Sequence, residues 1–150
     1  MIKSAILSKN RKHRYLLSRI WDLNNENILF IMLNPSSADE DIDDATTTKV
    51  IRFSKKWGYG GLHICNLYTY RTSSPKKLFS FPKNKRGSNK SEIKKYAKKC
   101  FKIVYAWGNK EKVPPWLNQM VSNPSFIELS KEGVPKHPLY LKSNLKLKSF

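Results

Sequence analysis

Four positions in the sequence carry residue types that could do chemistry, and each follows a segment that is predicted to be a strand. They are Asn34, Asn66, Trp107-Gly108 and His137. A carboxamide offers a donor and an acceptor together, which matches the hydrogen-bonding edge of a heterocyclic base. A histidine on a stiff loop can stabilise a developing negative charge. The combination suits recognition of a flat heterocyclic ring and stabilisation of negative charge that develops on it.

Other kinds of reactive site are not evident. The sequence has no Ser-His-Asp order, no cysteine beside a histidine and no glycine-rich phosphate loop. The three histidines lack the spacing of metal ligands, so neither a metal nor a cofactor is predicted. Taken singly, Asn34 is also an ordinary turn or cap residue, and His137 is an ordinary surface-loop residue. Their joint placement favours one shared site.

Alternating strands and helices must position these residues. Residues 27–33 form a continuous apolar run, as expected for a central parallel strand. Further strands are predicted at 62–66, 103–106 and 125–129. The pattern predicts one α/β domain over residues 1–150, a three-layer α/β/α sandwich with a central four-stranded parallel sheet. In such sheets ligands bind beyond the carboxyl ends of the strands.

The remaining elements are a hairpin and three helices. Residues 5–8 and 14–21 predict an N-terminal hairpin. Helical periodicity predicts helices within 46–58, 83–100 and 114–121. These helices would cover the two faces of the sheet.

Helix ends are predicted from cap residues. Thr46 or Thr47 could cap the first helix, and Gly58 could end it. Ser88 or Ser91 is the candidate cap of the second helix.

Charge indicates the class of partner. The chain has 29 Lys+Arg against 11 Asp+Glu, a net charge of +18, and residues 76–102 hold 11 of the basic residues. Such an excess favours a polyanion, with nucleic acid ahead of an anionic membrane surface. A lysine-rich codon bias is the alternative explanation, but it does not account for the scarcity of acids. DNA is therefore the predicted partner.

The cellular setting is predicted from segments that are missing. No apolar run is long enough to span a membrane, and the first residues lack the apolar stretch of a signal peptide. Cys65 and Cys100 both lie in apolar runs, which favours buried thiols over a disulfide. We expect a cytoplasmic monomer with no membrane partner.

Four segments together resemble the uracil-DNA glycosylase superfamily. FIMLNPSS resembles its water-site motif, HICNLYTYRT the strand whose final asparagine reads the base, VYAWGN the segment after the third strand, and KHPLYL the His-Pro loop that enters DNA. The whole chain also resembles a set of small bacterial and phage proteins described as a domain of unknown function. Their shared pattern runs from Leu-Asn-Pro-Ser to His-Pro-Leu-Tyr.

The resemblance implies a role for each matching position. Asn34, His137 and Asp44 would be catalytic, with Asn34 orienting water and His137 stabilising the leaving base. The substrate-binding set would be Pro35, Ser36, Asp43, Thr46, Asn66, Tyr68 and Tyr140. The DNA-contacting set would be Ser37, Arg71, Lys136, Leu139 and Lys142. Leu139 or Tyr140 would fill the gap left by a flipped nucleotide.

Three departures from the superfamily pattern matter. The serine of the His-Pro loop is absent, and no aromatic ring follows Asn34, so a ring would have to come from elsewhere, such as Tyr59 or Tyr68. Asp43 and Asp44 stand there instead, which suggests a base other than plain uracil. Residues 139–141 could alternatively be a last core strand.

The implied function is a DNA N-glycosylase that excises a modified base, in repair or in defence against phage. Two alternatives remain open. One is a non-catalytic module that binds DNA or a flipped base, and the other is an enzyme acting on free nucleosides or nucleotides. Neither alternative needs the whole combination of high positive charge, a stiff apolar loop, Asn34 and His137.

Overall fold

A computed structural model describes all 150 residues. Its strands are β1 (Ile2–Leu7), β2 (Arg14–Ile20), β3 (Asn27–Met32), β4 (Gly61–Asn66), β5 (Lys102–Tyr105), β6 (Ser125–Phe126) and β7 (Lys148–Ser149). Its helices are α1 (Ala45–Lys56), α2 (Pro75–Ser80), α3 (Lys90–Lys99) and α4 (Pro115–Met120), with one turn of 3₁₀ helix at Lys83–Lys85. The chain is therefore a mixed α/β protein.

All seven strands belong to one sheet, in the order β1-β2-β4-β3-β5-β6-β7. The central strands β4, β3, β5 and β6 pair in parallel, which confirms the prediction that these four segments share a sheet. The sheet is wider than predicted, because the β1–β2 hairpin pairs antiparallel with β4 and the tail strand β7 pairs with β6. The fourth predicted strand, 125–129, is shorter than expected, with two residues in β6.

The apolar run of β3 follows from burial on both faces. Phe30 packs in one core cluster with Val50 and Phe53 of α1. Ile31 packs in the other cluster, which includes Ile93 of α3 and residues of α2 and α4. Successive side chains of a strand point to opposite faces of the sheet. A strand that is covered on both faces therefore buries every side chain, and apolar residues are favoured throughout. Each such buried side chain contributes about 1.5–3 kcal/mol.

Helix α1 begins differently from the prediction. Asp44, rather than Thr46 or Thr47, is the N-cap, and its carboxylate accepts the N–H of Thr47. Aspartate competes well for this place because its charge also complements the helix dipole. Gly58 follows the helix with φ +87°, as predicted for a left-handed terminator.

Two other helix starts also differ from the sequence-based prediction. Neither Ser88 nor Ser91 caps α3; Asn89 precedes it, and its amide nitrogen donates to the Tyr15 carbonyl instead. Helix α2 was not predicted, although Ser74 followed by Pro75 is a typical helix start, and the Ser74 hydroxyl accepts the N–H of Lys77. The short length of α2 leaves little periodic signal.

The strand order determines where a ligand could enter. The connection after β3 leads to β4 on one side of it, and the connection after β4 returns to β5 on the other side. Chain connections therefore diverge between β3 and β5, which opens a crevice at their carboxyl ends. None of the helices has the length and apolar character that crossing a membrane would require.

Candidate functional site

A cleft of about 470 Å³ lies at the carboxyl edge of the parallel strands, where the connections diverge. All four strand-end features of the sequence border it. From the predicted set, the lining includes Asn34, Pro35, Ser36, Asp44, Thr46, Asn66, Trp107, Gly108, His137 and Leu139. Residues separated by about a hundred positions in sequence thus share one cavity.

Asn34 is held by its amide nitrogen. Nδ2 donates to the carbonyl of Thr72 at 2.8 Å and to that of Pro35 at 3.1 Å. The Thr72 N–H in turn donates to the Pro35 carbonyl, so the two loops brace each other. The side-chain oxygen has no protein partner and is left as an acceptor. An amide fixed in this way can orient a water molecule but cannot remove a proton strongly.

Asn66 is held by its side-chain oxygen rather than by its amide nitrogen. Its Oδ1 accepts a hydrogen bond from Nη2 of Arg14 at 3.2 Å, and the residue is almost fully buried at the end of β4. Its amide nitrogen has no protein partner. Because the oxygen is already engaged by a cation, the amide presents a donor to the cleft. Asn66 is therefore set up to read an acceptor atom on a ligand.

Arg14 is a buried cleft residue that sequence reasoning missed. Only 3% of it is exposed, and its guanidinium donates to the Ala38 carbonyl and to Asn66 while forming no salt bridge. Burial lowers the pKa of Arg14 to about 10, against the opposing effect of nearby Asp44. A buried arginine without a carboxylate partner is uncommon. Its position on a predicted hairpin strand carried no signal of this role.

His137 offers a neutral donor. Its Nδ1 accepts the backbone N–H of Leu139 at 3.2 Å, so the proton of the neutral ring is on Nε2. Burial lowers the pKa of His137, and the Asp44 carboxylate partly opposes that shift. The ring is therefore neutral at pH 7. Nε2 has no protein partner and is free to donate to a ligand.

Gly108 positions the loop that carries His137. Its N–H donates to the Pro135 carbonyl at 2.8 Å, and its φ of +89° is a left-handed value that disfavours any side chain. A β-carbon built there would lie 3.7 Å from the His137 β-carbon, an ordinary van der Waals contact, so the backbone angle is what selects glycine. Gly108 thus acts on the site through its backbone.

Asp44 lines the cleft, but both of its carboxylate oxygens already accept hydrogen bonds from the backbone. One oxygen accepts the Thr47 N–H at 2.8 Å and the other accepts the Ala38 N–H at 3.3 Å. A carboxylate whose two oxygens already accept backbone N–H groups is poorly placed to take a proton from a water molecule. Thr46, in the first turn of α1, lines the same wall. The geometry favours Asp44 as a support for the cleft rather than as its base.

Asp43 does not reach the cleft, contrary to the substrate-binding role expected from the sequence. Its carboxylate accepts from Nε of the fully buried Arg19 at 2.7 Å and lies 3.4 Å from Nζ of Lys3. Arg11 similarly pairs with Asp39 and Glu40. The acidic loop is therefore bound to the N-terminal hairpin, which the sequence could not indicate because the partners are remote.

Replacing Asp43 with asparagine should lower stability without changing the cleft. The substitution removes the charge that faces the buried Arg19 guanidinium. We expect the free energy of unfolding to fall by about 1–3 kcal/mol, measured by urea denaturation. Because Arg19 also donates to backbone carbonyls, the pair is isolated by a double-mutant cycle. A smaller loss when Asp43→Asn is added to Arg19→Gln than when it is made in the wild type would support the pair as the cause, whereas unchanged stability of Asp43→Asn would contradict it.

Neither of the two tyrosines expected to supply a stacking ring lies in the cleft. Tyr68 borders a neighbouring groove, where its hydroxyl donates to the Glu111 carboxylate, and burial together with that bond raises its pKa to about 12. Tyr59 precedes β4, at the amino edge of the sheet, and packs near Phe101. The aromatic side chain that borders the cleft is the buried Trp107.

The loop after His137 is a turn rather than a core strand. Pro138 begins the turn, and its carbonyl accepts the Leu141 N–H at 3.1 Å. Leu139 borders the cleft, while Tyr140 is 94% exposed and does not line it. The alternative of a last core strand is therefore wrong, although Leu141 does pack on the α1 side of the core.

The residues expected to contact DNA lie in different environments. Arg71 donates to the carbonyls of Ser36, Ser37 and Arg11, so its guanidinium braces the loop after Asn34. Lys136 pairs with Glu128 at 2.5 Å. Ser37 and Lys142 are exposed and lie outside the cleft. Arg71 and Lys136 are thus already engaged within the protein.

Fold and cleft together define an α/β protein with a polar cleft at the point where the connections of its parallel sheet diverge. The chain belongs to the family described as Protein of unknown function (DUF1643), which matches residues 14–139. That span includes Arg14, Asn34, Asn66 and His137. No curated protein and no solved structure matches the chain.

Proposed function

We propose that this protein is a DNA N-glycosylase that binds an extruded, modified base in the cleft and releases it, leaving an abasic site. One observation carries the proposal: an acceptor on Asn34, a donor on Asn66 and a donor on neutral His137 all border one cavity. Hydrolysis of an N-glycosidic bond needs few groups, because the transition state is mainly a charge-separated sugar and base. The resemblance to uracil-DNA glycosylases supports the same reaction.

In this reaction His137 acts on the departing base and Asn34 on the attacking water. The C1′–N bond breaks, and its electron pair leaves with the base. Nε2–H of His137 donates to the anion that develops on the base, and a neutral imidazole can do so without an ionisation step. Water then adds its hydroxyl group to C1′, and its proton neutralises the departing base.

Asn34 would hold that water. Its nitrogen is tied to the Thr72 and Pro35 carbonyls, so its free oxygen has a fixed direction. Because an amide is a weak base, and the Asp44 carboxylate is occupied by backbone N–H groups, the proton leaves the water late in the reaction. This arrangement suits a base that is already a good leaving group, as many modified bases are.

The exposed turn beside the cleft is suited to stabilising a flipped nucleotide. Leu139 borders the cavity and Tyr140 projects into solvent at the tip of a turn that follows Pro138. Inserting an apolar side chain into the vacated stack offsets part of the cost of unstacking. The net charge of +18 would attract the phosphate backbone.

Base release from DNA would test the proposal. Short duplexes, each with one modified base, should yield free base by mass spectrometry and an equal number of alkali-labile abasic sites. Because binding to phosphates releases counterions, affinity should fall steeply with salt, with a slope near 0.9 per neutralised phosphate of duplex DNA. The stability variant Asp43→Asn, assayed well below its unfolding temperature, is the control and should release base normally.

The outcomes separate the alternatives. Salt-dependent DNA binding without release of any base would support the non-catalytic module. Release from free nucleosides but not from DNA would support the free-nucleotide enzyme. Salt-insensitive or absent DNA binding would contradict the glycosylase directly.

A further inference from the structure

A second groove, of about 690 Å³, runs beside the cleft on the α3–α4 side of the sheet. We call it the lysine groove. It is bordered by Lys83, Lys90, Lys110 and Lys112 and by the aromatic residues Tyr68 and Trp116. Lys110 borders both the lysine groove and the cleft. The two cavities are therefore neighbours that share a cationic side chain.

The positive charge of the lysine groove is not neutralised within the protein. All four lysines are exposed, and none of them forms a salt bridge. Glu111 is the one acid on the wall, and its carboxylate accepts the Tyr68 hydroxyl. The Trp107 indole also donates to the Glu111 carbonyl at 2.7 Å, which fixes this wall against the core. The lysine groove thus presents four unpaired cations beside a wall that is fixed to the core.

An aromatic surface accompanies these cations. Trp116 is half-buried against the core, and the Lys90 ammonium lies 5.3 Å from the centre of its ring. Cations beside a partly exposed aromatic ring are typical of sites that hold a nucleic acid strand by its phosphates while a base stacks on the ring. A cavity in the range of roughly 300–1,000 Å³ encloses a ligand of nucleotide size, whereas a double helix is too wide to enter it.

We propose that the lysine groove binds single-stranded nucleic acid, namely the strand that continues from the nucleotide in the cleft. The inference rests on the proposed function only in assigning the neighbouring nucleotide to the cleft. Base stacking needs an unpaired base, so Trp116 favours a single strand over a duplex. The unpaired lysines would contact two or more successive phosphates.

Binding of a labelled thymidine 12-mer, followed by fluorescence anisotropy, tests this inference. The Lys90→Gln, Lys112→Gln double variant should raise the Kd about tenfold at low salt. It should also reduce the salt slope by about 1.4, since each single-strand phosphate contact contributes about 0.7. The matched control is Lys55→Gln, Lys146→Gln, which removes the same charge from the opposite, α1 side and should bind like wild type. Equal weakening by both pairs would overturn the inference in favour of diffuse attraction.

Stacking is tested separately with Trp116→Leu, which keeps an apolar side chain at the core. It should weaken binding of the thymidine strand severalfold, yet bind an abasic strand of equal length as the wild type does. Unchanged affinity for the thymidine strand would overturn the stacking role. Neither experiment measures base release. If the protein binds the strand through the lysine groove but releases no base, the groove assignment stands and the glycosylase proposal is wrong. If the protein releases base and the groove variants bind the strand like wild type, the glycosylase proposal stands and the groove assignment is wrong.

Discussion

Replacing His137 with alanine should slow base release by about a hundred-fold or more, the usual loss when a donor to a developing oxyanion or similar charge is removed. Affinity for DNA should stay close to that of wild type, because the lost hydrogen bond forms mainly in the transition state. Single-turnover release on a good substrate would measure the first quantity, and anisotropy with an uncleavable analogue the second. Asn34→Ala should behave in the same way, since it removes the acceptor that orients water.

The controls for this prediction follow from the hydrogen bonds of the two residues. The His137 ring accepts the Leu139 N–H, so His137→Asn is a second variant that can keep an acceptor in the turn while changing the donor towards the cleft. Loss of rate in both His137 variants, with unchanged thermal unfolding, would assign the effect to the ring. If the two single variants Asn34→Ala and His137→Ala are both folded and both release base at the wild-type rate, the catalytic assignment is wrong.

Replacing Asn66 with aspartate should change which base is accepted. In the wild type, Arg14 occupies the side-chain oxygen and leaves the amide nitrogen as the donor towards the cleft. Aspartate keeps an oxygen for Arg14 and places a second oxygen where that donor was. A base that offers a carbonyl oxygen there should then be rejected, and one that offers an amino group should be favoured. A site with the wrong partner can discriminate by a factor on the order of 10⁴ in kcat/KM.

The variant is expected to fold because Arg14 is buried next to the new carboxylate and has no ion pair of its own. Asn66→Ala is the matched control, which should lose activity on every base without reversing the preference. Competition between two bases in one reaction, scored by mass spectrometry, measures the ratio directly. An unchanged ranking of bases in Asn66→Asp would show that Asn66 does not read the base.

Local pattern in the sequence was sufficient for the central strands and for two of the polar residues that line the cleft. The run 27–33 is apolar because helices cover both faces of β3, and that burial is visible as an unbroken series of apolar residues. Parallel strands align their carboxyl ends, so polar residues just after the strands had to lie near one another. The placement of Asn34 and Asn66 was predictable for this reason, whereas His137 lies well beyond the end of β6 and reaches the cleft on a loop.

Tertiary structure alone decided which polar groups pair. Arg14 meets Asn66 across 52 residues because the hairpin strand β2 lies beside β4, and neither periodicity nor composition specifies that neighbour. The same dependence on strand order and loop path sends Asp43 to Arg19 and Tyr68 to Glu111, away from the cleft. Burial of apolar residues leaves a local periodic signal, whereas a hydrogen bond between remote side chains leaves none. The sequence by itself thus determined where the cleft is and several of the residues that line it, and the packed structure determined which of their polar groups lack a partner within the protein.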